Sequence, residues 1–180
     1  MDILVVEDNL QDAELLKLTL RRIPEVPNIT HKDTVASACS ALRHTVYDVV
    51  LLDLNLPDSD GLATLRQLQQ ANDAIPIVVM TGYDDEDLAR EAVHLGAEDY
   101  LVKGSGTPAS IIRSLNYAIE RNHTAKELRY LAHHDALTGT ANREDFNLEL
   151  ERVVARAERT ASQAAVITVN VDRFRSINET

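Results

Sequence analysis

The sequence predicts an α/β domain, a doubly wound five-stranded parallel sheet, followed by a C-terminal helical stalk and a partial α+β fragment. Three observations predict it: apolar runs without alternation that stop at polar residues, segments of helical spacing between those runs, and turn signals that separate the two. Continuous runs of leucine and β-branched residues suit strands buried on both faces. Alternation of strand and helix through five rounds is the pattern of a doubly wound sheet.

The first run, Ile3-Leu4-Val5-Val6, stops at Glu7-Asp8 and leads into a helix carried by Ala13, Leu15, Leu16, Leu18 and Leu20. Pro24 and Pro27 break the chain before a weaker strand candidate, Asn28-Ile29-Thr30-His31. Val35, Ala38, Cys39 and Leu42 carry the second helix. Val49-Val50-Leu51-Leu52 stops at Asp53, and the turn Pro57-Asp58-Ser59-Asp60-Gly61 opens a third helix on Leu62, Leu65 and Leu68. Ile77-Val78-Val79-Met80 stops at Thr81, and the fourth helix, on Leu88, Ala92, Val93 and Leu95, ends at Gly96. Tyr100-Leu101-Val102 stops at Lys103, and Gly104-Ser105-Gly106-Thr107-Pro108 precedes a helix on Ile111, Ile112, Leu115 and Ile119. Helical spacing continues through Ala125, Leu128 and Leu131, so this last helix runs on as a stalk.

Composition narrows the function classes. Lys+Arg is 18 against Asp+Glu 29, a net charge of −11, which argues against a chain that grips nucleic acid or an anionic membrane surface. Residues 1–119 hold 9 basic and 19 acidic residues, a net of −10, while residues 120–180 hold 9 and 10, a net of −1. The chain therefore reads as two pieces. Hydrophobic residues make up 44% but aromatics only 4%, with no Trp, so the core is aliphatic. Cys39 is the only cysteine, so no intrachain disulfide forms, and neither a basic leader nor an apolar stretch of membrane length is visible. The expectation is a soluble cytoplasmic protein.

In a doubly wound sheet, ligands sit beyond the carboxyl ends of the strands. Glu7, Asp8, Asp53, Thr81 and Lys103, which end the runs, therefore meet at one edge. Three carboxylates in one pocket repel each other unless a cation is present, and a small set of hard oxygen ligands suits Mg²⁺. Lys103 adds a charge able to pair with a phosphate, and Thr81 adds a hydroxyl donor. With a metal and a cation at hand, a carboxylate can itself be the nucleophile, and Asp53, at the end of a central strand, is the candidate. A nucleotide-binding rival needs a glycine-rich loop after the first strand, but Glu7-Asp8-Asn9-Leu10 stands there, and acids would repel a phosphate without metal.

These residues resemble the response-regulator receivers of two-component signalling over about residues 1–121. The resemblance rests on Glu7-Asp8, on Leu51-Leu52-Asp53-Leu54-Asn55-Leu56-Pro57-Asp58-Ser59-Asp60-Gly61, on Met80-Thr81-Gly82, and on Gly96 through Lys103. It implies a flavodoxin-like sheet of order 2-1-3-4-5. It also implies Mg²⁺ held by Glu7 or Asp8, by Asp53 and by the main-chain carbonyl of Asn55. Asp53 would take a phosphoryl group from a histidine kinase or phosphotransfer protein, Thr81 and Lys103 would contact that group, and Tyr100 would change position as Thr81 moves. One departure is visible: such receivers commonly carry a cis proline after the lysine, but Gly104 stands there, so a trans or locally rearranged turn is expected.

Two other clusters read as structural. Asp84-Asp85-Glu86-Asp87 complements the positive end of a helix. His133-His134-Asp135 lacks the i, i+4 spacing of a helical metal site. After a linker over 122–132, the segment from His133 through Thr138-Gly139-Thr140-Ala141-Asn142-Arg143 is similar to the opening of a GGDEF-type diguanylate cyclase domain. An expected helix over about 143–160 and a strand over about 164–171 follow, then Asp172-Arg173-Phe174-Arg175-Ser176-Ile177-Asn178, which resembles that family's first active-site segment. Residues 133–180 thus correspond to an incomplete domain without the signature loop. The resemblance makes Asn178 a vestigial guanine-contact position, puts Asn170 where a metal-binding Asp is usual, and puts Thr140-Ala141 in place of Leu-Pro. No cyclase activity is expected of this chain, although the parent protein could be a two-component diguanylate cyclase; a stand-alone phosphorelay adaptor is the further alternative. Val166, Ile167, Val169 and Val171 would leave an unpartnered strand, which packs on its own stalk or forms a homodimer, through the tail or the stalk.

Overall fold

Each of the four strong apolar runs forms a strand, and so does the weaker fifth. A computed structural model describes residues 1–21, 26–82, 85–104 and 106–170. Pro24, Asp84, Ser105, Val171 and the segment from Asp172 to Asn178 lie outside the described residues. The strands are β1 (Asp2–Val6), β2 (Asn28–Lys32), β3 (Val49–Asp53), β4 (Ile77–Thr81) and β5 (Asp99–Val102). The helices are α1 (Leu10–Leu20), α2 (Val35–His44), α3 (Leu62–Ala71), α4 (Glu86–His94), α5 (Pro108–His133) and α6 (Arg143–Thr160). All neighbouring strands pair in parallel, in the order β2-β1-β3-β4-β5, as expected.

The absence of alternation in the runs has its explanation in two cores, one on each face of the sheet. Ile3, Val5, Val49, Leu51, Val78 and Met80 pack with Leu20, Ile111, Leu115 and Ala118 of α1 and α5. Leu4, Val6, Val50, Leu52, Ile77 and Val79 point the other way, into a core with Val35, Ala38, Leu65, Leu68 and Ala92 of α2, α3 and α4. Successive strand residues thus face opposite layers, and both layers are apolar.

The first helix departs from its reading. Ala13 and Leu20 are buried and Leu16 packs beside the core, but Leu15 and Leu18 are 58% and 55% exposed. Five apolar residues in eight positions exceed one helical stripe, and the stripe that meets the sheet runs through 13, 16 and 20.

The chain divides into two compact units, Met1–Leu128 and Arg129–Thr180. In the second, the end of α5 turns into α6 through a loop closed on itself. Asp135 Oδ1 accepts from the Leu137 and Thr138 amides, the Asn142 side chain donates to Ala132 O at 2.6 Å, and Asn142 Oδ1 caps α6 at Asp145 N. The adjacent histidines serve this turn separately: His133 Nδ1 meets Asp145 Oδ1 at 3.1 Å, and the His134 ring stacks on Tyr130. The helix expected over 143–160 is α6. The strand expected over 164–171 does not form across its described part: residues 164–170 have no regular structure and are exposed. Its physical reason is the lack of a partner, since among the described residues this unit has no other strand to pair with. Asn170 lies in this stretch.

Candidate functional site

The carboxyl ends of the parallel strands open on one edge of the sheet. There β1 delivers Glu7, only 1% exposed, and the exposed Asp8, while β3 ends on Asp53, 7% exposed. Each of the three places a carboxylate oxygen within 4.8 Å of the others. Asn9 fixes the entry to α1: its Oδ1 accepts the Gln11 amide at 2.9 Å, and its own amide donates to Glu7 Oε1 at 3.2 Å. The Asn55 amide donates to Asp53 Oδ1 at 3.0 Å, so the turn after β3 starts folded against that carboxylate.

Lys103, following β5, answers the crowded negative charge. Its Nζ lies 2.6 Å from Glu7 Oε2 and 2.6 Å from Asp53 Oδ2, and 3.5 Å from Asp12 Oδ2. Burial works against the lysine charge, but the hydrogen bonds to Asp53 and Glu7 outweigh it and hold the ammonium above the ordinary lysine range. Burial pushes the Glu7 carboxyl up, against the pull of Lys103, and the neighbouring Asp53 charge adds to the rise. The pocket demands positive charge, and its hard oxygen donors fit Mg²⁺, which would meet the same need that Lys103 meets alone.

Thr81 ends β4 with its hydroxyl buried and, among the described residues, without a hydrogen-bond partner. A buried orphan hydroxyl carries a desolvation cost, so its position favours any acceptor that reaches it. Tyr100 is half-buried and packs against the core shared by α2, α3 and α4. No described peptide bond is cis, so Lys103-Gly104 is trans as expected. Gly104 takes φ +75°, a conformation closed to proline and strained for other L-residues. The Lys103 amide donates to Thr81 O at 2.7 Å, which ties the two residues together.

Asp12 and His31 are neighbours of the site that the sequence did not single out. Asp12 follows Asp8 by four positions and lies in the first turn of α1, a placement that could have marked it. The sequence marks His31 only as a strand residue, yet β2 brings it to the same edge, where Nε2 lies 2.7 Å from the main-chain carbonyl of Glu7. Asp58 serves the frame: its carboxylate accepts the Val35 and Ala36 amides at the start of α2, at 2.9 and 3.0 Å.

Comparison with known proteins agrees with this geometry. Residues 3–116 match the response regulator receiver domain, and residues 132–180 match the diguanylate cyclase GGDEF domain. The chain belongs to the response regulator receiver family. It is 37% identical over 103 residues to the transcriptional regulatory protein ZraR of Escherichia coli, a match covering 57% of this chain and 23% of ZraR. With KdpE of Staphylococcus aureus it shares 36% over 101 residues, covering 56% of this chain and 42% of that one. The match thus spans less than half the length of either relative. Among solved structures, the receiver domain protein of Clostridium thermocellum superposes with a TM-score of 0.61 at 23% identity, covering 69% of this chain and 98% of that one, which supports the fold. NtrX of Brucella abortus gives a TM-score of 0.65 at 25% identity, covering 86% of this chain and 34% of NtrX. Receiver domains bind Mg²⁺ through an acidic pocket and interact with histidine kinases or phosphotransfer proteins. Among the described residues, no helix is long and apolar enough to cross a membrane.

Proposed function

We propose that the chain is a phosphorylation-controlled switch in which Asp53 accepts a phosphoryl group from a histidine kinase or phosphotransfer protein, in a Mg²⁺-dependent reaction. The observation that carries this reading is Asp53 itself, a buried strand-end carboxylate held at 2.6 Å by Lys103 beside two further acids. An Asp53 oxygen attacks the phosphorus of a phosphohistidine, the P–N bond breaks, and the imidazole leaves with its electron pair. Glu7, Asp8, Asp53 and the Asn55 carbonyl are the residues to hold Mg²⁺, which when bound offsets charge on the phosphoryl oxygens. Lys103 pairs with one of those oxygens, and the unpartnered Thr81 hydroxyl donates to another. Tyr100, packed at the margin of one core, is the ring that follows Thr81 and passes the change outward.

Incubation with a small phosphodonor and Mg²⁺, followed by intact mass, tests the reading. A phosphoryl adduct is expected in the wild type and absent in Asp53→Asn; an adduct that persists in the variant overturns it.

The match of residues 132–180 to the GGDEF domain favours one elaboration: the chain corresponds to a piece of a two-component diguanylate cyclase, whose output the receiver controls. The 180 residues contain no Gly-Gly-Asp-Glu-Phe loop, and Asn170 is a neutral and poorer Mg²⁺ ligand than Asp. This chain on its own therefore makes no cyclic dinucleotide from GTP, which a product assay checks. Pairing of two copies through the stalk or the tail belongs to the same reading, and light scattering across concentration tests it.

A further inference from the structure

Glu7 and Asp8 do not belong to a strand or a helix: they occupy the bend between β1, which ends at Val6, and α1, which begins at Leu10. Where their carboxylates point therefore depends on what fixes the peptide between them. On one side, the Glu7 amide donates to Lys32 O at 2.9 Å, the last rung of the β1 to β2 ladder. On the other, the Glu7 carbonyl meets a side chain, with His31 Nε2 at 2.7 Å. A carbonyl only accepts, so the hydrogen resides on Nε2. The bend is clamped on both sides of Glu7 by adjacent residues of one edge strand.

We propose that His31 is a positioning residue for the cation site, holding the Glu7 carbonyl so that the Glu7 and Asp8 carboxylates are oriented before the ion arrives. The inference rests on the reading of Glu7, Asp8 and Asp53 as Mg²⁺ ligands. His31 touches neither carboxylate; it acts through the main chain. Its contribution is orientation: without the donor, the peptide between the two acids is free to rotate, and the ion must order it on binding. Among the described residues β2 is an edge strand that pairs only with β1, and the Val5 to His31 register brings the imidazole to the strand end. A one-residue slip would send it to the other face.

The test is a calorimetric titration of the full chain with MgCl₂, comparing wild type, His31→Gln and His31→Asn, with melting temperatures recorded in chelator. Gln extends a donor to the place of Nε2, whereas the Asn donor stops at the place of Nδ1, one atom short. Expected is a loss of about three- to tenfold in Mg²⁺ affinity for His31→Asn, the scale of one hydrogen bond, and recovery to within about twofold for His31→Gln. Equal affinity in wild type and His31→Asn overturns the proposal, as does a Gln variant as weak as Asn. A fall in melting temperature shared by both variants at unchanged Mg²⁺ affinity marks a merely structural imidazole and equally overturns it. A wild type that takes up no Mg²⁺ overturns the Mg²⁺ reading, and the proposal with it. Should His31→Asn fail to fold, long-range ¹H–¹⁵N correlation on the wild type decides: the neutral ring carries its proton on Nε2, and a proton on Nδ1 refutes the contact.

Discussion

Lys103 occupies the same carboxylates that would hold a divalent cation, so ammonium and ion compete. Lys103→Met separates the two, because methionine keeps most of the aliphatic stem and removes the charge. In the absence of Mg²⁺ the variant leaves Glu7 and Asp53 facing each other with Asp8 close by. Breaking a buried ion pair by removing one partner costs about 3–5 kcal/mol. Here the lysine side chain is 25% exposed and Asp8 is exposed, so solvent screening brings the expected loss to about 2 kcal/mol. At about 4 °C per kcal/mol for a domain of this size, the melting temperature of the receiver falls by about 8 °C in chelator.

Mg²⁺ should then act in opposite proportion. In the wild type, an ion entering the pocket would displace two contacts of 2.6 Å from Lys103, whereas in the variant it would relieve repulsion with no ammonium to displace. A ligand at one hundred times its dissociation constant adds about 2.7 kcal/mol to stability, and tighter binding adds more at the same concentration. Thermal unfolding across a Mg²⁺ series should therefore show a larger stabilisation of Lys103→Met than of the wild type, while phosphoryl transfer to Asp53 slows. A variant as stable as wild type in chelator, or one that Mg²⁺ stabilises less, refutes the competition.

Thr81 and Asp58 offer two further tests. Thr81→Val replaces a buried hydroxyl without a partner by a methyl group of similar shape, so the unphosphorylated receiver should gain about 1 kcal/mol in urea unfolding, while its structural response to a phosphodonor is lost in NMR spectra. A loss of stability instead would mean that the hydroxyl is partnered. Asp58→Ala removes the acceptor at the start of α2 and should cost about 0.5 kcal/mol at neutral pH, the low end for a cap because Asp58 is exposed. Hydrogen bonds from Ala36 and then Val35 hold the Asp58 carboxyl below its unfolded value. Its contribution is therefore complete above the unfolded pKa of 3.8 and lost as pH falls through the lower folded value. The difference between wild type and Asp58→Ala should vanish in acid, and a gap that persists there contradicts the cap.

The site's main residues were legible because a local pattern carries them. A run of apolar residues ends where a strand leaves the core, so Glu7, Asp53, Thr81 and Lys103 announce themselves at run ends without any tertiary knowledge. Asp12 and His31 were not legible in that way. Asp12 reaches Lys103 across 91 positions of chain, and His31 reaches Glu7 across 24. Leu15 and Leu18 misled for a related cause: helical spacing says that a face exists, but the sheet decides which of several apolar stripes it covers.

The contrast between two weak strands shows what decides the rest. Asn28-Ile29-Thr30-His31 has little apolar character and lies half-exposed, yet it is a strand, because β1 offers it a full parallel ladder from Asp2 to Val6. Val166, Ile167 and Val169 have the better strand chemistry and remain exposed and irregular, because among the described residues their unit provides no partner strand. Propensity nominates a segment, and pairing elects it. In the receiver that pairing has a structural consequence: β2 contributes little to the core, and its register carries His31 to the Glu7 carbonyl. If His31 positions Glu7 and Asp8 as proposed, an edge strand of modest hydrophobicity is a means of placing one donor beside the acids of the cation site.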